Sequence, residues 1–210
     1  MASIPETTIL GKKPKNFLTY LVIHCSDTPA TMLVDKEDLE QWHKSPRDNS
    51  DGTVTYLGKT FANRSKLPND TINGSSIYHL TGRGWDRLGY SDMIHRDGVV
   101  ENITPYDDDN IVEAGELTWG ATGVNSISRH IVLVGGWFEK QRSGTFKFDD
   151  IFTSHQFIAL KSYMENMLTD HPQIKFVGHR DIPKANKTCP NFNVIEFCKS
   201  LSIHSKNIGL

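Results

Sequence analysis

The sequence predicts a mixed α/β fold, a central mixed β-sheet flanked by helices. Three observations predict it. Short, nearly continuous apolar segments at Phe17–Ser26, Ile174–Gly178 and His130–Gly136 read as strands buried on both faces. Between the strand segments lie stretches with helix-start signals and apolar residues at helical spacing. A hairpin signal, Asp97-Gly98 between Met93-Ile94 and Val99-Val100, adds an antiparallel pair to the alternation, so the sheet is mixed.

Each element can be justified in turn. "FLTYLVIHCS" (Phe17–Ser26) is apolar until it turns polar at His24, which places that histidine at the C-terminal end of a central strand. In "VDKEDLEQWHKSP", Asp35 is set to cap a helix marked by Leu39 and Trp42, and Pro46 stops it. Residues 45–83 are rich in Asn, Ser, Gly and Thr without sustained periodicity. They read as an inserted long loop, a lid or groove wall, with a short hairpin at Thr53–Phe61. "HIVLVGG" (His130–Gly136) is a strand ended by glycines. In "TSHQFIALKSYMENMLTDHP", Thr153 and Gln156 have capping-box spacing, and Phe157, Leu160, Met164, Met167 and Leu168 share a helical face. "IKFVG" is a last strand and "NVIEFCKS" a short terminal helix. The domain expectation is an N-terminal extension at 1–16 and one domain at 17–210 carrying the 45–83 insertion.

Composition narrows the function. The chain has 210 residues, 37% hydrophobic and 23% charged, with a formal net charge of -2. That is globular composition, and it offers no electrostatic case for nucleic acid as a partner. Cys25, Cys189 and Cys198 are too few and too scattered for a disulfide framework. The start, "MASIPETTILGKKPKN", lacks the apolar core of a secretory signal, and no apolar run is long enough for membrane insertion. The expected location is therefore a cytoplasm, with action elsewhere requiring separate release.

His24 and His179 both end predicted strands, and Cys189 follows His179 in a loop that can fold back, just before Pro190. A strand-end histidine is by default structural. Two imidazoles and a thiolate are also a complete three-ligand zinc set with a fourth position open to water. The competing chemistry makes Cys189 a nucleophile with His179 as its base; the plain alternative is a small residue packed under a proline loop. Cys25 points to the opposite strand face from His24 and reads as packing, as does Cys198 on an apolar helix face. His43 reads as structural or as support behind the site. His79, His95, His130, His155, His171 and His204 have no convergent setting. Tyr90 is either core packing or a hydroxyl aimed at a site, and Lys187 is by default a solvated loop charge.

Taken in order, "LVIHCS", "QWH", "GWDRLGY", "RDG", "IVLVGG" and "GHRDIPKANKTCP" resemble zinc-dependent N-acetylmuramoyl-L-alanine amidases of the phage lysozyme type. These type 2 amidases share a fold with peptidoglycan recognition proteins. The resemblance covers Phe17 to Phe197, with 45–83 as an extra segment. It implies one Zn²⁺ held by His24, His179 and Cys189, with Tyr90 and Lys187 as catalytic residues. It also implies an activated water that cleaves the amide between N-acetylmuramic acid and L-alanine. The substrate is then peptidoglycan, with Trp85, Trp119 and Asn125 as expected contacts, the tryptophans as sugar platforms. A phage endolysin of this type is a monomer that waits in the host cytoplasm until holin-type release admits it to the wall. Some phage relatives also inhibit the phage RNA polymerase, which makes that enzyme a second partner to test. The chain departs from the family at Ser91, and at Gly120 or Ala121, where histidine is common.

Overall fold

The computed structural model describes residues 14–137 and 151–210, so residues 1–13 of the expected N-terminal extension lie outside it. In chain order the elements are β1 (Tyr20–Cys25), α1 (Lys36–Lys44), β2 (Arg47–Asp48), β3 (Val54–Tyr56), β4 (Lys59–Phe61), β5 (Thr71–Ile72) and β6 (Ser75–Ser76). Then follow β7 (Asp92–Ile94), β8 (Val100–Asn102), β9 (Ser128–Leu133), α2 (Ser154–Asp170), β10 (Lys175–Gly178) and α3 (Val194–Ser200). The mixed α/β expectation holds. The central sheet has the order β10-β1-β9-β7-β8, parallel except for the β7–β8 hairpin.

Local chemistry accounts for the element ends. Asp35 accepts from the Asp38 N–H at 2.9 Å while the Asp38 carboxylate accepts from the Asp35 N–H at 3.2 Å, a reciprocal cap for α1. Thr153 and Gln156 do the same for α2, at 3.2 and 3.0 Å. Gly98 turns the β7–β8 hairpin with φ +90°, a conformation open to glycine at little cost.

Strand alternation divides the core. On one face Leu21, Ile23, Ile131, Leu133 and Phe176 pack against Leu160, Met164 and Met167 of α2 and Val194 and Cys198 of α3. Each such buried side chain contributes about 1.5–3 kcal/mol relative to exposure. Cys25 and Cys198 are buried in this layer, as their patterns predict. On the other face Met93 and Val132 meet Leu39 of α1, while Val22 and Val177 meet Ala121 and Ile182. Parallel pairing of Val22 with His130, and of His24 with Val132, puts both histidines on this second face.

Residues 45–83 are not an irregular loop. The hairpin expected at Thr53–Phe61 forms as β3 and β4, joined by β2 in a small antiparallel sheet, with β5–β6 as a second hairpin. Val54, Tyr56, Leu67, Ile72 and Ile77 bury a separate small core. Arg64 ties the segment together: its guanidinium donates to both Asp48 carboxylate oxygens at 2.8 Å and to the carbonyls of Tyr78 and Leu80 at 2.9 and 3.0 Å. The apolar residues of this core are spread among turns, which is why no periodicity marks them in the sequence.

Candidate metal centre and groove

Because β1 and β10 are parallel neighbours, their C-terminal ends emerge at the same edge of the sheet. His24 is the penultimate residue of β1, and His179 follows β10 directly; their rings lie 4.7 Å apart, centroid to centroid. The loop after His179 is folded back by the Arg180 N–H, which donates to the Cys189 carbonyl at 2.7 Å. Asn191 anchors its far end by donating to the Gly136 carbonyl at 2.6 Å. Cys189 Sγ thereby comes to 3.8 Å from His24 Nδ1, and accepts the Cys25 N–H at 3.3 Å.

His24, His179 and Cys189 each offer one donor atom within 4.8 Å of the others, the arrangement a metal ion requires. Among the described residues no other group of three or more His, Cys, Asp or Glu residues does so. The electrostatics suit a cation. A hydrogen bond with the Cys25 thiol, joined by those with His179 and His24, holds the Cys189 thiol well below its ordinary value against the opposing effect of burial. The bond to Cys189 and burial push the Cys25 thiol up in turn, so the negative charge resides on Cys189. Burial pulls His24 down, which keeps its imidazole neutral. A thiolate and neutral imidazoles are the protonation states that bind a divalent ion.

A groove of about 550 Å³ reaches this cluster at His179 and is lined also by Tyr90, Gly120, Lys187, Arg83 and Trp85. The Tyr90 ring lies 5.1 Å from that of His24. Burial, followed by the charge on Cys189, raises the Tyr90 hydroxyl well above its usual range, so it stays protonated. Lys187 is exposed on the loop that carries Cys189. A second hollow of about 500 Å³ shares Trp85 and Trp119 with the first and adds Asn125. Arginines lie against both tryptophans, Arg83 at 5.1 Å from the Trp85 ring and Arg87 at 5.0 Å from that of Trp119. The Trp119 indole also donates to Asp86 at 2.7 Å, and Asn125 Oδ1 accepts from the Ala121 N–H at 2.7 Å.

His43 also lines the groove. Its Nδ1 accepts from the Gly89 N–H at 3.2 Å, and its ring packs on Trp85 and Tyr90 at 5.0 and 5.3 Å. Burial, then the charge of Arg83, pulls its pKa down to about 3. One expectation is overturned. His130 is not without a convergent setting: its Nδ1 lies 3.0 Å from His24 Nε2, and both residues are buried. In "HIVLVGG" it reads as the first residue of a strand, and only the pairing of that strand with β1 reveals the contact.

No family model matches the chain. It is 27% identical over 184 residues to the endolysin of Enterobacteria phage T3, spanning 87% of this chain and 86% of that one. It is 26% identical over 187 residues to the endolysin of Enterobacteria phage K11, spanning 89% of each. Among solved structures, the Ph2119 endolysin from Thermus scotoductus MAT2119 bacteriophage Ph2119 superposes with a TM-score of 0.50 at 18% identity, covering 92% of this chain and 90% of that one. Wild-type Drosophila PGRP-LB superposes with a TM-score of 0.51 at 18% identity, covering 90% and 84%. Over most of its length the chain is thus a relative of phage endolysins, on the fold of the Ph2119 endolysin and of PGRP-LB.

Proposed function

We propose that the chain is a phage endolysin that cleaves peptidoglycan as a zinc-dependent N-acetylmuramoyl-L-alanine amidase. The observation that carries this reading is the convergence of His24, His179 and Cys189 beside a groove lined by His179, Tyr90 and Lys187. The donor set fits zinc: one cysteine sulfur and two imidazoles, with His24 Nε2 engaged elsewhere so that Nδ1 faces the thiol. When bound, zinc supplies a Lewis acid that makes water a nucleophile near neutral pH.

The chain's own groups then do the following. The groove holds the glycan and stem peptide extended, with Trp85, Trp119 and Asn125 along its second hollow. The Tyr90 hydroxyl, protonated and beside His24, donates a hydrogen bond that orients the attacking water or the scissile carbonyl. Lys187 brings a positive charge to the oxyanion that forms on that carbonyl, a contribution of about 2.7–4 kcal/mol for a well-placed group. Arg83, the last residue of the 45–83 segment, lines the groove and shapes which peptides enter. The protein acts on the wall after release from the host cytoplasm. Among the described residues no helix is long and apolar enough to cross a membrane.

The test is mass spectrometry of fragments released from purified peptidoglycan. New free L-alanine amino termini are expected, and new reducing sugar ends in their place would overturn the reading. In parallel, Cys189→Ser and His179→Ala should lose both stoichiometric zinc and lysis of permeabilised cells. Lysis that survives complete removal of zinc would sink the metal assignment.

A further inference from the structure

We propose that His130 is a positioning residue, which accepts the Nε2–H of His24 at its own Nδ1 and so presents His24 Nδ1 to the metal. The inference rests on the metal-site reading above and extends it to a residue outside the ligand set. A neutral imidazole carries one proton, and a nitrogen that binds a metal cannot hold it. His24 Nδ1 is the nitrogen that faces Cys189, so in the loaded site the proton sits on Nε2, where it needs a buried acceptor. His130 Nδ1 lies 3.0 Å away, with the two residues 1% and 0% exposed.

The surroundings are built to keep the His130 ring in that place. Ser91 fixes its backbone: the Ser91 hydroxyl accepts the His130 N–H at 3.0 Å and donates to the His130 carbonyl at 2.8 Å. Gly120 leaves room for the ring, since a Cβ there would fall 2.6 Å from His130 Cγ and 2.6 Å from the Gly89 carbonyl oxygen. His130 Nε2 is buried with no hydrogen-bond partner among the described residues, a cost that an apolar residue filling the same space would not carry. Its bond to His24 is what the imidazole contributes there.

The experiment measures zinc affinity by chelator competition for the full chain and for three variants, alongside ¹⁵N–¹H spectra of the histidine rings. Zinc-loaded wild type should show His24 protonated at Nε2. His130→Leu removes the acceptor and should weaken zinc binding about 10–100-fold, the usual effect of losing such a partner. His130→Asn, whose amide oxygen can occupy the place of Nδ1, should stay within a few-fold of wild type. Gly120→Ala, which displaces the ring without altering it, should weaken binding as His130→Leu does. Wild-type affinity in a folded His130→Leu, or a His24 proton on Nδ1 in the loaded protein, would overturn the proposal; should that variant fail to fold, the wild-type spectrum decides. Wild type that binds no zinc would bring down the metal site as well. Tight zinc binding with indifferent variants would bring down this inference alone.

Discussion

Lowering the pH tests the buried histidines, and His43 allows the magnitude to be worked out. Its pKa is about 3 in the folded protein against an ordinary value of 6.5. Between those values the unfolded chain binds a proton that the native state does not, so stability is lost as pH falls from 6.5 toward 3. Protonation would also break the bond in which His43 Nδ1 accepts the Gly89 N–H. At 1.36 kcal/mol per pKa unit, going from pH 7 to pH 4.5 should cost about 2.5 kcal/mol through this residue alone. With a urea m-value of about 2 kcal/mol/M, that moves the unfolding midpoint by roughly 1 M. The assay is urea unfolding of the metal-free protein across this range, beside His43→Asn, which keeps an acceptor near Nδ1 and cannot titrate. Metal-free protein is needed because metal release also follows pH. The variant should lose less stability on acidification, by about 2.5 kcal/mol. If the two midpoints fall in parallel, His43 titrates alike in both states and the reasoning fails.

Two further predictions concern separate parts of the chain. Lys187→Ala should lower turnover on peptidoglycan about 10²–10³-fold while zinc content stays at wild-type level, and loss of metal would reassign the lysine to site assembly. Gln156 is fully buried, donates to the carbonyls of Val134 and Ile94 at 2.8 and 3.2 Å, and accepts the Thr153 N–H. Gln156→Leu strands these groups, and urea unfolding should show about 2–4 kcal/mol less stability with zinc binding intact; a neutral result would mean that water replaces the amide.

Much of the site was legible because its signals are local. The end of an apolar run locates His24 and His179, and their emergence at one edge follows once β1 and β10 are neighbours. The polar loop between His179 and Pro190 can return Cys189 to them because its Arg180 N–H finds the Cys189 carbonyl. Helix starts at Asp35 and Thr153 were legible for the same reason, since cap and partner are three residues apart. The small core of the 45–83 segment was not legible. Its five buried residues fall at turns and two- or three-residue strands, too short to display a period.

Outside residues 45–83 the chain alone therefore decided the local elements, the order of the chemical groups along them, and the class of ion that two imidazoles and a thiolate suit. Tertiary structure decided which groups meet. His130 lies 106 residues from His24, and nothing near either residue in the chain announces the contact. It arises because Val22 pairs with His130 in parallel register, which puts His24 and His130 on one face, and because Gly120 leaves space there. Caps, turns and strand ends are settled by neighbours a few residues away, whereas lateral strand register is settled by how whole faces pack.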